Sequence, residues 1–151
     1  MTISLTKANL KDISFVYNLK SSEEVKKTSI NKKKIEFRNH SKWFKKKLGE
    51  KKTLFFLINE KKNKLKVGYI RLEFENFYYR VTIAVIKNKT RKKYAYRALK
   101  LVEKKISLNS VLFAQVIGSN FKSIKLFEKA GYKLVGHKKK IKFFVKFSGK
   151  P

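Results

Sequence analysis

Residues 90–99, TRKKYAYRAL, set a short basic run directly before what reads as the first turn of a helix. A helix N-terminus offers unpaired backbone N–H groups and roughly half a positive charge, so an anion is stabilised there without special side chains. Arg91, Lys92 and Lys93 add formal charge to that address, and the chemistry it suits is the holding of a phosphate. The competing reading is a solvated basic cap, since Lys clusters are common in a chain this basic. His40 and Trp43 form a second group. An imidazole titrates near neutral pH and can act as a base or bind a substrate, or it can pack on a helix face beside Trp43 and Phe44. Trp43 can stack on a base or sugar, although a lone Trp on an amphipathic helix is more often core.

These residues need elements to position them. ISLTKA (3–8) alternates apolar and polar residues as a half-buried strand does, and Asn9 can cap a helix carrying Leu10, Ile13, Val16, Tyr17 and Leu19. After a polar stretch, residues 35–48 place Phe37, His40, Phe44 and Leu48 at helical spacing. TLFFLIN (53–59), KVGYIRLEFE (66–75) and YYRVTIAVI (78–86) read as an antiparallel meander with turns at EKKNK and at Asn76 and Phe77. From Lys93 the period changes, and Ala95, Ala98, Leu99, Val102 and Ile106 line one helix face. VLFAQV (111–116) is a strand. NFKSIKLFEKAG (120–131) has a helix's start and stop signals in Asn120 and Gly131. YKLVG and KKIKFFVKF close the chain as a hairpin.

The sum is an α+β domain with one central, mostly antiparallel sheet of about seven strands flanked by helices, a single domain over residues 1–151. A strand, a helix and a neighbouring strand over residues 78–116 make a right-handed crossover by default. Ligands of such units sit outside the strand's carboxyl end, where the helix begins, and that address is TRKKYAYRAL.

The charge balance of 40 Lys+Arg against 10 Asp+Glu, +30 in all, points toward polyanions: nucleic acid, an acidic membrane surface or phosphorylated small molecules. A genome-wide Lys bias explains it equally well. With no Cys, disulfides and thiolate metal sites are excluded, and two distant His residues, His40 and His137, make a zinc site a poor reading. MTISLTKANL lacks the regions of a signal peptide and no apolar run spans a membrane, so a cytoplasmic protein is the expectation. Oligomeric state is not legible.

The strand, loop and helix at 78–102, followed by a strand and SNFKSIKLFEKAGYKLVG (119–136), resemble the GNAT family of N-acetyltransferases. Its members hold the pyrophosphate of acetyl-CoA, their cosubstrate, with a loop of pattern Gln/Arg-x-x-Gly-x-Gly/Ala. Aligned without gaps from Val81 to Leu99, the pattern falls on Thr90, Lys93 and Ala95, and only Ala95 matches. Thr90 stands where Arg or Gln is expected, with Arg91 one place late, and Lys93 replaces a glycine. The downstream half is better preserved: Asn120, Ser123, Leu126, Phe127, Lys129, Ala130, Gly131 and Tyr132 follow Asn-x-x-Ser/Ala-x-x-Leu-Tyr/Phe-x-Lys-x-Gly-Phe/Tyr. HSKWF (40–44) with KVGYIRL (66–72) further resembles the branch that acetylates amino sugars on nucleotide carriers, nearest to the pseudaminic-acid pathway enzymes. Ribosomal-protein N-acetyltransferases share parts of the same pattern.

The resemblance implies acetyl transfer from acetyl-CoA to a small-molecule primary amine, with a sugar nucleotide as the acceptor. Protein or peptide acetylation and a nonenzymatic nucleic-acid binder on the same fold are the alternatives. It assigns CoA binding to Arg91, Lys92, Lys93, Tyr94, Ala95, Asn120, Ser123, Phe127 and Lys129, and an oxyanion-binding amide to Ala84 or Val85. A strand Glu commonly serves as base in the family. Glu73 and Glu75 share one side of a strand with Arg71, so Glu73 and His40 are the catalytic candidates, with Trp43, Arg71 and Glu75 toward the substrate. The alternative for both acids is pairing with Arg71 and nearby Lys. The family's usual acid, a Tyr, is Phe127 here, leaving Tyr94, Tyr132 or solvent to protonate the thiolate.

Overall fold

A computed structural model describes residues 2–150, with backbone alone for Thr90, Arg91 and Lys92. The seven strands are β1 (Ile3–Lys7), β2 (Thr53–Glu60), β3 (Lys66–Glu75), β4 (Tyr78–Val85), β5 (Val111–Ile117), β6 (Lys133–Lys138) and β7 (Ile141–Phe147). They form one sheet in the order β1-β2-β3-β4-β5-β7-β6, in which only β4 and β5 are parallel. The helices are α1 (Ile13–Lys20), α2 (Glu23–Thr28), α3 (Phe37–Gly49), α4 (Tyr94–Val102) and α5 (Phe121–Lys129). The α+β fold with a mostly antiparallel sheet is therefore as the sequence reads.

Alternation along the strands divides two cores between the sheet's faces. Ile70, Leu72, Val81, Leu112 and Phe144 meet α4 and α5 through Leu99, Val102 and Phe127. On the other face Phe55, Leu57, Tyr69 and Ala84 meet Val16, Leu19 and Phe44 of α1 and α3. Local signals act as read. Asn9 and Asp12 form a reciprocal cap ahead of α1, Asn120 caps α5, and Gly131 takes φ 95° just past the end of α5, where Tyr132 donates back to the Phe127 carbonyl.

Two boundaries differ. The polar stretch after α1 holds α2, whose single apolar residue, Val25, gives no periodicity to read. The helix opening at residue 93 leaves α geometry at Val102 and tightens into a 3₁₀ turn over Glu103–Lys105. Ile106 is extended. Glu103 accepts from the buried ammonium of Lys146 at 2.7 Å and from the Gly149 amide at 3.0 Å, which ties the end of β7 to this turn.

Candidate active site

The parallel pairing of β4 with β5 lasts for three residue pairs, Tyr78 with Val111 to Arg80 with Phe113. Beyond Arg80 the strands part, although β4 stays registered with β3 to Val85. Ile86 donates its N–H to the Val67 carbonyl of β3 at 2.8 Å. Strand alternation then turns the Val85 amide away from β3, into the gap that β5 has left. Gly68 makes this close approach possible. A Cβ built there would collide with the Ala84 carbonyl oxygen and lie 3.1 Å from the Val85 Cα.

The gap opens into a cleft of about 680 Å³, of a size that suits a small-molecule site. On the α4 and α5 side Val85, Ala95, Asn120, Ser123 and Phe127 line it, so five sequence-predicted residues converge with Ala84 on one site. Lys122 joins them, as does Gln115. On the other side lie Lys20, Trp43, Lys47, Arg71, Glu73 and Arg80, with Glu24 of α2 at the margin.

The loop between β4 and α4 runs through a 3₁₀ segment, Lys87–Lys92, to Lys93. Lys93 adopts φ 61°, ψ 19°, a left-handed conformation, and is the residue immediately before α4. That is the conformation a glycine takes without cost, whereas a residue with a Cβ loses roughly 1 kcal/mol or more there. The position where the motif expects glycine keeps a glycine's backbone. The side chains of Arg91 and Lys92, assigned to CoA phosphates from sequence, lie outside the described residues.

Either side of Lys93 the loop is tied to Glu60, at the end of β2. Glu60 is 1% exposed and accepts hydrogen bonds from the Tyr94 hydroxyl and from the Lys89 ammonium, the latter at 3.3 Å. The Tyr94 bond, ahead of Lys89, holds the Glu60 carboxyl below its ordinary pKa and raises that of the phenol. Tyr94 is thus a buried anchor and not a cleft residue. Sequence reasoning missed Glu60 altogether.

Several predicted site residues do not face the cleft. His40 is 1% exposed and wedged among Tyr17, Phe37, Trp43 and Phe44, with Nε2 donating to the Ile13 carbonyl at 3.3 Å. Burial, then the nearby Lys20 charge, lowers its pKa. It is a neutral packing residue between α1 and α3, which does not suit a catalytic base. Lys129 is exposed and lies 5.2 Å from the Tyr96 ring, away from the lining. Glu75 takes a hydrogen bond from Tyr78 and an ion pair from Arg80, beside a shallow depression next to the cleft. Tyr132 is buried, and burial raises its pKa. Neither it nor Tyr94 is available as an acid toward the cleft.

Glu73 does line the cleft, but among cations. Arg71 Nε donates to it at 2.7 Å, Lys47 Nζ lies at 2.7 Å and Arg80 at 3.7 Å. Burial alone would raise its pKa. The Arg71 guanidinium and the Lys47 bond outweigh that and hold the carboxyl at about 2. A carboxylate held so low is a feeble proton acceptor. Trp43 carries Lys20 Nζ 3.9 Å from its centroid and Arg71 Cζ at 4.7 Å, so its ring seats two cations. Burial first, then Arg71, lowers the Lys20 pKa from 10.5 to about 8, with Glu73 opposing.

A parallel strand pair splayed over a cleft, followed by a loop and a helix N-terminus, suits a small-molecule ligand whose anionic group sits at the helix start. Residues 15–132 match the family model described as acetyltransferase (GNAT) family. The chain belongs to that family, whose enzymes transfer an acetyl group from acetyl-CoA to an amine. Comparison of the sequence with curated proteins gives no match. Among solved structures, the spermidine N-acetyltransferase from Vibrio cholerae in complex with CoA and spermine is similar at TM-score 0.85 and 16% identity, over 98% of this chain and 96% of that one. A domain from Methanocaldococcus jannaschii aligns at TM-score 0.83 and 19% identity, over 97% and 98% of the two chains. A GNAT-family acetyltransferase from Bacillus anthracis aligns at 0.80 and 18%, over 99% and 97%. Likeness at such identities speaks to the fold. Among the described residues no helix is long and apolar enough to cross a membrane.

Proposed function

We propose that the chain acetylates the amine of a small acceptor that also carries negative charge, and that this acceptor is an amino sugar on a nucleotide carrier, as the HSKWF and KVGYIRL resemblance implies. The observation that carries the reading is the sign of the cleft. Among the described residues, Lys20, Lys47, Arg71, Arg80 and Lys122 line it against the carboxylates of Glu24 and Glu73 alone. A phosphate-bearing amine gains from that field, and a polycation is repelled by it.

The donor fits the opposite wall. Backbone N–H groups at the start of α4 and the Lys93 turn suit its pyrophosphate, Ala95 leaves room beside the loop, and Asn120, Ser123 and Lys122, which line the cleft, would flank the CoA arm. The amine nitrogen attacks the thioester carbonyl, the C–N bond forms, the C–S bond breaks, and CoA leaves as thiolate. The Val85 amide is the donor to the developing oxyanion.

Two protons then need a route. The acceptor must arrive as a neutral amine, and Lys20 reports what this cleft does to an ammonium: its pKa drops to about 8. An acceptor ammonium held by the same desolvation and cations would lose its proton to solvent near pH 8, with no dedicated base. The second proton, which the nitrogen carries once the C–N bond has formed, passes to solvent or to the departing CoA thiolate; a thiol of pKa about 8.5 is an acceptable leaving group, so Phe127 in place of a Tyr costs little. Glu73 orients Arg71, Lys47 and Arg80 in this scheme and takes no proton.

The test is thiol release from acetyl-CoA with a UDP-linked 4-amino sugar and with spermidine as competing acceptors. Expected is a kcat/KM at least about tenfold higher for the sugar nucleotide, falling with added salt. Preference for spermidine overturns the reading. An oligonucleotide titrated in parallel measures how much of the +30 charge serves polyanions in general.

A further inference from the structure

We infer that Glu60 is a positioning residue for the CoA pyrophosphate loop, clamping it on both sides of Lys93 so that a lysine can occupy a turn built for glycine. This rests on the reading of that loop as the acetyl-CoA site. Three observations meet here. Lys93 holds φ 61° in the left-handed region. Lys89, four residues before it, and Tyr94, directly after it, both donate to the Glu60 carboxylate. Glu60 itself is fixed, its backbone registered with Ile3 of β1 and its amide donating to the Leu65 carbonyl at 2.9 Å.

A lysine at this position has an easier conformation in the right-handed region, and moving there swings the first turn of α4 and its N–H groups out of place. Glycine has no such preference. In this chain the restraint comes from outside the loop: a buried carboxylate at the end of β2 holds the segment before the turn by an ion pair and the helix start by a buried hydroxyl. Without the clamp the apo loop spreads over several conformations, and the binding-competent fraction, hence the apparent affinity, falls in proportion. The chemistry at the thioester is untouched once the donor is bound.

The experiment is a thermodynamic cycle between Glu60 and residue 93. Acetyl-CoA Kd is measured by calorimetry for the wild type, Glu60→Gln, Lys93→Gly and the double variant, with thermal melts of each and the KM and kcat of acetyl transfer. Glu60→Gln is expected to raise Kd and KM for acetyl-CoA about tenfold with kcat at saturation within about twofold. In the Lys93→Gly background the same substitution is expected to raise Kd less than about threefold, because glycine holds the turn unaided. Tyr94→Phe, which removes only the hydroxyl, reproduces the Glu60→Gln pattern in milder form and guards against a folding defect in the latter. Equal losses in both backgrounds, or a Glu60→Gln Kd matching the wild type, overturn the inference. A wild-type protein that binds no acetyl-CoA overturns the reading of the loop instead, and the inference falls with it.

Discussion

Replacing Glu73 with Gln separates two roles that the sequence leaves open for this residue, proton acceptor and ion-pair hub. Its carboxyl sits at a pKa of about 2, against an ordinary 4.5. At about 1.36 kcal/mol per decade this is at most roughly 3.4 kcal/mol of stability. Arg80 reaches solvent with a side chain 39% exposed, so screening reduces the figure to about 1–2 kcal/mol. The folded pKa is depressed, so the contribution is present in full above pH 4.5 and is lost as pH falls toward 2. By pH 3 it has dropped by about 60%. Urea unfolding of the wild type and Glu73→Gln at pH 7 and pH 3 reads this directly. The variant is expected to be less stable by about 1–2 kcal/mol at pH 7 and by less than half of that at pH 3. Its kcat/KM falls mainly through KM for the acceptor, because Arg71 and Lys47 lose their fixed orientation. A variant as stable as the wild type at pH 7 that loses a hundredfold or more in kcat refutes the argument and makes Glu73 the base.

Log kcat at saturating acceptor should rise with a slope near one and level off close to pH 8, the pKa of Lys20 in the same cleft, when followed by thiol release from pH 6 to 9. An unaltered ammonium would keep it rising to about pH 10. Phe127→Tyr should leave that profile with its single ascending limb; a new descending limb would show that a phenol can act as acid there. Gly68→Ala should destabilise the fold by about 2–4 kcal/mol in urea, since its methyl meets the Ala84 backbone and not a yielding side chain. His40→Phe should keep the pH profile of kcat while shifting Tm, because the imidazole is buried among rings outside the cleft.

What was legible in the sequence was what is local. Strand alternation fixed the meander, and Asn9, Asn120 and Gly131 fixed helix ends, because each acts within a turn of its own position. The same holds for the half of the site on α5, where Asn120, Ser123 and Phe127 reach one cleft wall through helical spacing alone. For His40 the sequence leaves a base and a packing residue equally open, because the choice depends on Tyr17, from a helix more than a dozen residues earlier, which closes an aromatic box around it. Glu60 was invisible for the same reason, more strongly. In the sequence it opens a charged turn, EKKNK, and nothing marks it off from the lysines beside it. Its partners lie 29 and 34 residues downstream and meet it only once β2, β3 and β4 have paired and α4 has crossed behind them. Lys93 completes the point. Read as a letter it departs from the motif, yet its backbone keeps the motif's glycine geometry. What this chain keeps at that position is a left-handed dihedral angle, and a sequence pattern records such an angle only when the cheapest residue supplies it. Where a distant carboxylate supplies the restraint, the pattern looks broken while the loop keeps its shape.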